Sequence, residues 1–236
     1  MTIVPKFFHA ILSVVLVFTL SIGWGQASTS TTETYAIPTS KKVTFNLKFA
    51  KLIQVKQSTG NTIELKTTIR YSHPELKAIH NIEVNKALGE LEVTADHNLD
   101  NWPKKKKYNC WNCDKQRLAS GECFCLEMDY ELLIPEGIDL TVTTINGDIE
   151  TKSMKGDLEL DSINGFIDFT ASAKTGADLT FKSINGEIYT DFELDLTQNS
   201  TKYSKRVSTQ INGGGRDISL RTINGNIFFR KKSVNR

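Results

Sequence analysis

The chain has 236 residues, with 29 Lys and Arg against 27 Asp and Glu, and four Cys. A balance this close to neutral leaves no electrostatic footprint for nucleic acid, so nucleic acid is excluded as an expected partner. The length behind the N-terminal leader suits a single domain with one continuous core.

Lys6 precedes an almost unbroken apolar run from Phe7 to Trp24, and Gly25-Gln26-Ala27 then offers small residues at a signal-peptidase site. Residues 1–27 therefore read as a signal peptide cleaved after Ala27, with an uncleaved N-terminal anchor as the rival. Of the charged residues only Lys6 is lost, so the remainder stays near neutral. No cysteine stands directly after the cleavage site, where Ser28 follows Ala27, which argues against a lipid anchor. No later run approaches the roughly 18 to 20 apolar residues that span a bilayer. The expected product is exported, to the periplasm or the cell surface, with no transmembrane segment after cleavage.

Residues 28–42 are rich in Ser and Thr and read as a loose linker. Alternation starts at Val43, Phe45, Leu47 and Phe49. From there a unit recurs: a glycine, one or two residues, then an apolar-polar-apolar strand. It is seen at Gly60 with Ile63 and Leu65, Gly89 with Leu91 and Val93, and Gly156 with Leu158 and Leu160. Gly165 with Ile167 and Phe169, and Gly176 with Leu179 and Phe181, follow. Gly215 with Ile218 and Leu220, and Gly225 with Ile227 and Phe229, complete the series. Thr, Ile, Val and Gly are plentiful and no capped helical run is present, so the class is all-β. The domain spans 43–230, and 231–236 is a basic tail.

Ile-Asn-Gly occurs five times, starting at Ile145, Ile163, Ile184, Ile211 and Ile223. Asn-Gly is the strongest short signal for a two-residue hairpin. A hairpin here would set Ile145 against Asp148, Ile184 against Glu187 and Ile223 against Asn226, an apolar residue facing a polar one each time. If instead a period of two runs through the turn, Ile145, Gly147, Ile149 and Thr151 share one face and the chain bends without reversing. That predicts a β-solenoid of parallel stacked coils, with isoleucine ladders inside and asparagines at the corners able to bond from coil to coil. A twisted β-sandwich is the alternative. Gly213-Gly214-Gly215 lacks the Lys and Ser/Thr of a phosphate loop, and Gly214-Gly215-Arg216-Asp217 is one degenerate copy of a calcium nonapeptide. Both read as a corner or bulge.

Residues 101–125 interrupt the pattern as a Cys-rich loop insertion. The segment gathers Trp102, Lys104, Lys105, Lys106, Lys107, Tyr108 and Trp111 with Cys110, Cys113, Cys123 and Cys125. Four close thiols can hold zinc, whereas an oxidising compartment turns them into disulfides. Export favours two disulfides and no metal. Three pairings are open, and those joining Cys110 and Cys113 to Cys123 and Cys125 suit a stapled projection better than Cys123 with its near neighbour Cys125. Aromatic rings among lysines suit contact with sugars or anionic polymers, or simply cap the core and meet solvent.

The leader, the Leu133-Ile134-Pro135-Glu136-Gly137 segment and the Asn-Gly units resemble the bacterial "putative adhesin" domain family, as does the run from Ile211-Asn212-Gly213 to Asn224-Gly225-Asn226-Ile227. The resemblance covers about Lys42 to Arg230. It implies an exported β-solenoid at the cell envelope and carries no catalytic residues. His73, His80 and His97 sit in no metal-binding motif, although His97 beside Asp96 is a candidate pair, and no Gly-x-Ser-x-Gly supports a nucleophile. Asp148, Asp157, Asp168, Glu187 and Asp217 fall on outward positions, as a solvated face requires and as a polysaccharide-active enzyme would also show. The expected function is a non-catalytic binding or adhesion module, without cofactor, contacting an envelope glycan or protein. A structural or signalling envelope component is the alternative, ahead of an enzyme, and the oligomeric state stays open.

Overall fold

Alternating apolar and polar residues make strands wherever one face meets a core. The computed structural model, which describes residues 27–98, 116–117, 123–124, 126–194, 197–198 and 205–232, consists almost wholly of them. The first strands are β1 (Ala27–Ala36), β2 (Lys42–Leu47), β3 (Phe49–Ser58) and β4 (Thr62–Tyr71). A 3-10 turn at Pro74–Ile79 buries Leu76 and Ile79 and leads into β5 (His80–Asn85) and β6 (Leu91–His97). β7 (Gln116–Arg117) and β8 (Cys123–Phe124) form a separate antiparallel pair. Next come β9 (Leu126–Pro135), β10 (Asp139–Lys152), β11 (Leu158–Asn164), β12 (Ile167–Ala171), β13 (Ala177–Asn185) and β14 (Ile188–Thr190). The chain ends with β15 (Thr197–Gln198), β16 (Lys205–Ile211), β17 (Arg216–Asn224) and β18 (Ile227–Lys231).

The 14-residue β10 organises the rest. Its first half pairs in parallel with β2 on one side and β11 on the other, and its second half with β3 and β12. One 16-stranded sheet is thereby folded into two layers along a crease at the Asn-Gly steps. The first layer runs β5-β6-β2-β10-β11-β17-β13-β16-β15, and the second β1-β4-β9-β3-β10-β12-β18-β14. The layers meet across a shared core, where Phe181 of the first lies 5.2 Å from Phe229 of the second. Phe229 also packs on Phe169 and Phe192, at 5.6 and 4.6 Å. Burying each such ring contributes about 2–3 kcal/mol.

At the crease, each layer of backbone rests on the next. A Cβ on Gly165 would lie 2.0 Å from the Gly147 carbonyl oxygen, one on Gly225 2.0 Å from that of Gly165, and one on Gly186 1.9 Å from that of Gly225. Only glycine fits there. The same carbonyls accept hydrogen bonds from the adjacent unit: Ser162 Oγ to Gly147 at 3.0 Å, Thr222 Oγ1 to Gly165 at 3.2 Å and Ser183 Oγ to Gly225 at 3.1 Å. Outside them runs an amide ladder, in which Asn185 donates to Asn224 at 2.8 Å, Asn224 to Asn164 at 2.8 Å and Asn164 to Asn146 at 2.9 Å.

Three expectations are corrected. The fold is all-β but not a solenoid. Antiparallel pairs flank it at β1-β4-β9, β5-β6 and β13-β16, and the last unit, β17 with β18, is inserted between β11-β12 and β13-β14. A solenoid requires each unit to stack on its sequence predecessor, and a mixed, sandwich-like folded sheet does not. The crease isoleucines are not inside either: Ile163, Ile184 and Ile223 are 40, 37 and 39% exposed, while Ser162, Ser183, Thr144 and Thr222 are buried. The alternation changes phase at the bend, because the inward hydroxyls of Ser162, Ser183 and Thr222 donate to glycine carbonyls and that of Thr144 to the Asn146 carbonyl, which isoleucine cannot do. Finally, the Ser/Thr-rich stretch at Ala27–Ala36 is no linker: it is β1, paired along its whole length with β4, because β-branched threonines suit an edge strand.

The fifth Ile-Asn-Gly differs in kind. Ile211 is buried, Asn212 and Gly213 both have positive φ, and the Asn212 side chain donates to the Ala173 and Thr175 carbonyls at 3.0 and 2.7 Å. The turn carries the chain over the start of β13, from its antiparallel partner β16 to its parallel partner β17.

Gly225→Ala is expected to cost about 3 kcal/mol by overpacking. Gly137→Ala, at a positive φ of 73° with open space around it, is expected to cost about 1–2 kcal/mol. Denaturant unfolding of the two variants checks the order.

Candidate functional site

On the second layer, strands of apolar-polar-apolar pattern turn every other side chain outward. β12, β18 and β14 should therefore present polar residues, yet β18 presents Phe228 and β14 Tyr189, and Phe166 stands just before β12. Phe228, between the buried Ile227 and Phe229, stacks on Tyr189 at 5.2 Å and 11°. Phe166 meets the same ring edge-on at 6.0 Å. The Arg230 guanidinium lies 4.9 Å from the Phe228 centroid and reaches Asp168 Oδ2 at 3.1 Å. Tyr189 stands on the outermost strand of this layer and is 50% exposed, so the column ends in an accessible ring.

Beside the column lies an open trough of about 590 Å³, lined among others by Lys56, Glu150, Lys152, Asp168, Arg230 and Lys232. Two carboxyl groups of this face are displaced from their ordinary range. Burial pushes Asp168 up, and Glu150 adds to this against the opposing pull of Arg230. Burial likewise raises Asp148, partly offset by the Phe166 N–H that its Oδ1 accepts at 3.0 Å. Asp168 Oδ1 is buried and has no hydrogen-bond partner among the described residues. The face therefore offers apolar ring surface and cations side by side.

Asp139, Asp157, Asp178 and Glu187 are taken up by structure. Asp157 Oδ1 accepts the Asp217 N–H at 2.9 Å, Asp139 Oδ1 accepts that of Asp157 at 3.2 Å, and Glu187 pairs with Lys205. Asp178 accepts from Gly215 N–H and Gln210 at 3.1 and 2.6 Å. Asp139, Asp157, Asp178 and Asp217 line a second, polar trough of about 670 Å³ on the first layer. Among the described residues no group of three or more His, Cys, Asp or Glu side chains is gathered to hold a metal ion. Nor, among the described residues, is any helix long and apolar enough to cross a membrane.

His97 stacks on Phe49 at 4.4 Å, and Asp96 is bonded to Lys48 and to the His97 N–H. Burial alone would raise Asp96, but those two bonds bring it below the ordinary carboxylate range. Across the strand pair from His97 stands His80, and among the described residues neither ring nitrogen of His80 has a hydrogen-bond partner.

Of the binding residues expected from sequence, Trp102, Lys104, Lys105, Lys106, Lys107, Tyr108 and Trp111 lie outside the described residues, as do the side chains of Cys110, Cys113, Cys123 and Cys125. So does the leader. Sequence reading passed over Phe166, Phe228, Tyr189 and Arg230, although the signal was present: an aromatic residue at the outward place of an otherwise regular strand.

No family model matches the chain, and no curated protein matches it. Among solved structures it is similar to a "putative cell adhesion protein" from Clostridium sporogenes, at 12% identity and TM-score 0.46, covering 86% of this chain and 100% of that one. A "putative adhesin" from Bacteroides fragilis follows at 11% identity and TM-score 0.32, with 86% and 97% covered. A "putative lipid binding protein" from Parabacteroides distasonis stands at 12% identity and TM-score 0.22, with 86% and 97% covered. Likeness at this level identifies neither a family nor a ligand.

Burial lowers His80 to about 4, with the charge on His97 adding to the effect. A histidine kept neutral in the fold but titrating near 6.5 when unfolded adds stability above that pH, and the contribution is lost as the pH falls from 6.5 through 4. The denaturant midpoint is expected to drop over that interval, and His80→Phe to flatten the drop. Unfolding curves at several pH values check it.

Proposed function

We propose that the protein is a non-catalytic binding module of the cell envelope, exported to the periplasm or cell surface, whose ligand is a glycan polymer. The observation that carries this reading is the outward column of Phe166, Phe228 and Tyr189, joined through Arg230 to the trough at Asp168. Sugars expose C–H faces that stack on aromatic rings, and hydroxyls that bond to carboxylates and guanidinium groups. Strands in the layer are spaced about 4.8 Å apart, commensurate with one pyranose ring along a linear chain. A polymer lying across β10, β12, β18 and β14 would thus meet one strand per sugar. The cations Lys56, Lys152, Arg230 and Lys232 suit an acidic polysaccharide over a neutral one. On residue chemistry alone, Trp102, Tyr108 and Trp111 with Lys104, Lys105, Lys106 and Lys107 would extend the contact, from a segment stapled by the four cysteines.

The test is calorimetric titration with soluble neutral and uronic-acid polysaccharides. The full chain is expected to bind the acidic set. Tyr189→Ala with Phe228→Ala should weaken binding at least about tenfold, a loss within the range of one aromatic contact pair, without changing the thermal midpoint by more than a few degrees. Binding that survives the double substitution would move the site elsewhere. No binding to either set would favour a structural role.

A further inference from the structure

We infer that β1 is a self-pairing edge, through which two copies of the chain join their second layers into one continuous sheet. The inference is independent of the glycan face.

A strand with one open edge is a template for another strand, and proteins guard such edges with lysine, proline, bulges or brevity. The guards are present at the other ends of this fold. β14 has three residues and is closed by Asp191, which accepts the Lys231 N–H at 3.1 Å, with Phe192 folded back onto Phe229. β15 has two residues, and β5 has six, with Glu83 exposed at its middle. β1 has no lysine, proline, bulge or shortness to guard it, and its one charge, Glu33, is bonded to Tyr35 on its own strand. Its ten residues hold register with β4 from Ala27↔Tyr71 to Ala36↔Thr62 without a bulge, and contain no Lys, Arg, Pro or Gly. Among the described residues nothing pairs with its other edge.

The residues of β1 point to a second copy as the occupant. In an antiparallel pair about a two-fold axis at Thr31, each residue meets one of its own face. The outward pairs are Ser28 with Thr34 and Ser30 with Thr32, hydroxyl to hydroxyl. The inward pairs are Thr31 with itself, Thr29 with Glu33 and Ala27 with Tyr35. The one charge, Glu33, accepts the Tyr35 hydroxyl at 2.5 Å and meets no like charge in this register. The same hydroxyl pairing already runs inward across the sheet, since Ser30 Oγ lies 3.0 Å from Thr68 Oγ1 on β4. Cross-strand Ser and Thr pairs of this kind favour the sheet, whereas like charges placed opposite one another disfavour it.

Sedimentation of the full chain, expressed with its leader, tests the inference across a wide micromolar range. A monomer–dimer equilibrium is expected. Ser30→Lys with Thr32→Lys, at two exposed positions, should raise its dissociation constant about tenfold or more at low salt and leave the circular dichroism unchanged. Thr31→Cys should give a disulfide between the two copies of position 31, identified by mass spectrometry of the linked peptide. A chain that stays monomeric, a dimer indifferent to the two lysines, or a β1 edge that captures another protein's strand in place of its own copy would overturn the inference.

Discussion

The close approach of glycine Cα to the carbonyl oxygen of the neighbouring unit is the constraint on which the rest depends. It brings Gly186, Gly225, Gly165 and Gly147 into a stack too tight for any side chain. Parallel strands have no hairpin to fix their register, and here the crease supplies the reference point. With the glycines in contact, Ser162, Ser183 and Thr222 reach the carbonyls below them, and the asparagines fall into line outside. Register errors of one residue would exchange the inner and outer faces of every strand. The crease makes such an error forfeit the glycine contact, a hydroxyl bond and an amide bond at once.

Much of the layer structure was legible. Alternation placed Val43, Phe45 and Leu47, Ile63 and Leu65, Leu91 and Val93, and Leu158 and Leu160 on inward faces, and all of them are buried. The order of the units was not legible, because Ser-Ile-Asn-Gly and Thr-Ile-Asn-Gly present the same faces wherever they occur. Any unit can rest on any other, and only the connection through β16 puts β17 beside both β11 and β13. The orientation of the crease isoleucines was misleading for a related reason. A pattern of period two cannot express the phase change at a bend, and hydrophobicity alone assigns Ile163 inward, where the backbone needs the hydroxyl of Ser162.

The candidate ligand face follows from the same geometry. Because units stack in register, like positions fall into rows, and an aromatic residue at one outward place becomes part of a column once its neighbours carry one too. Phe228 and Tyr189 are thus brought into stacking by β18-β14 pairing, though they are far apart in the chain. The opposite end of the fold has a different character. There β1 is hydroxyl-rich and unguarded, and the two ends of the second layer therefore offer a ring surface and a backbone edge respectively. The sequence signals for each, an aromatic residue between two buried ones and a threonine run without lysine or proline, are local. Their meaning comes from position in the sheet.

Engineered disulfides would test the out-of-order stack most directly. Ile163 lies between Ser162 and Asn164, which register with Thr222 and Asn224, so Ile163 and Ile223 sit on adjacent strands. Adjacent strands are about 4.8 Å apart, within the reach of a disulfide, and next-but-one strands are not. The account predicts that the pair Ile163→Cys and Ile223→Cys forms an intramolecular bond on mild oxidation, seen by peptide mapping, while Ile163→Cys with Ile184→Cys does not. The reverse result, with 163 bonded to 184 and not to 223, would mean that the units follow sequence order and would contradict the folded sheet described above.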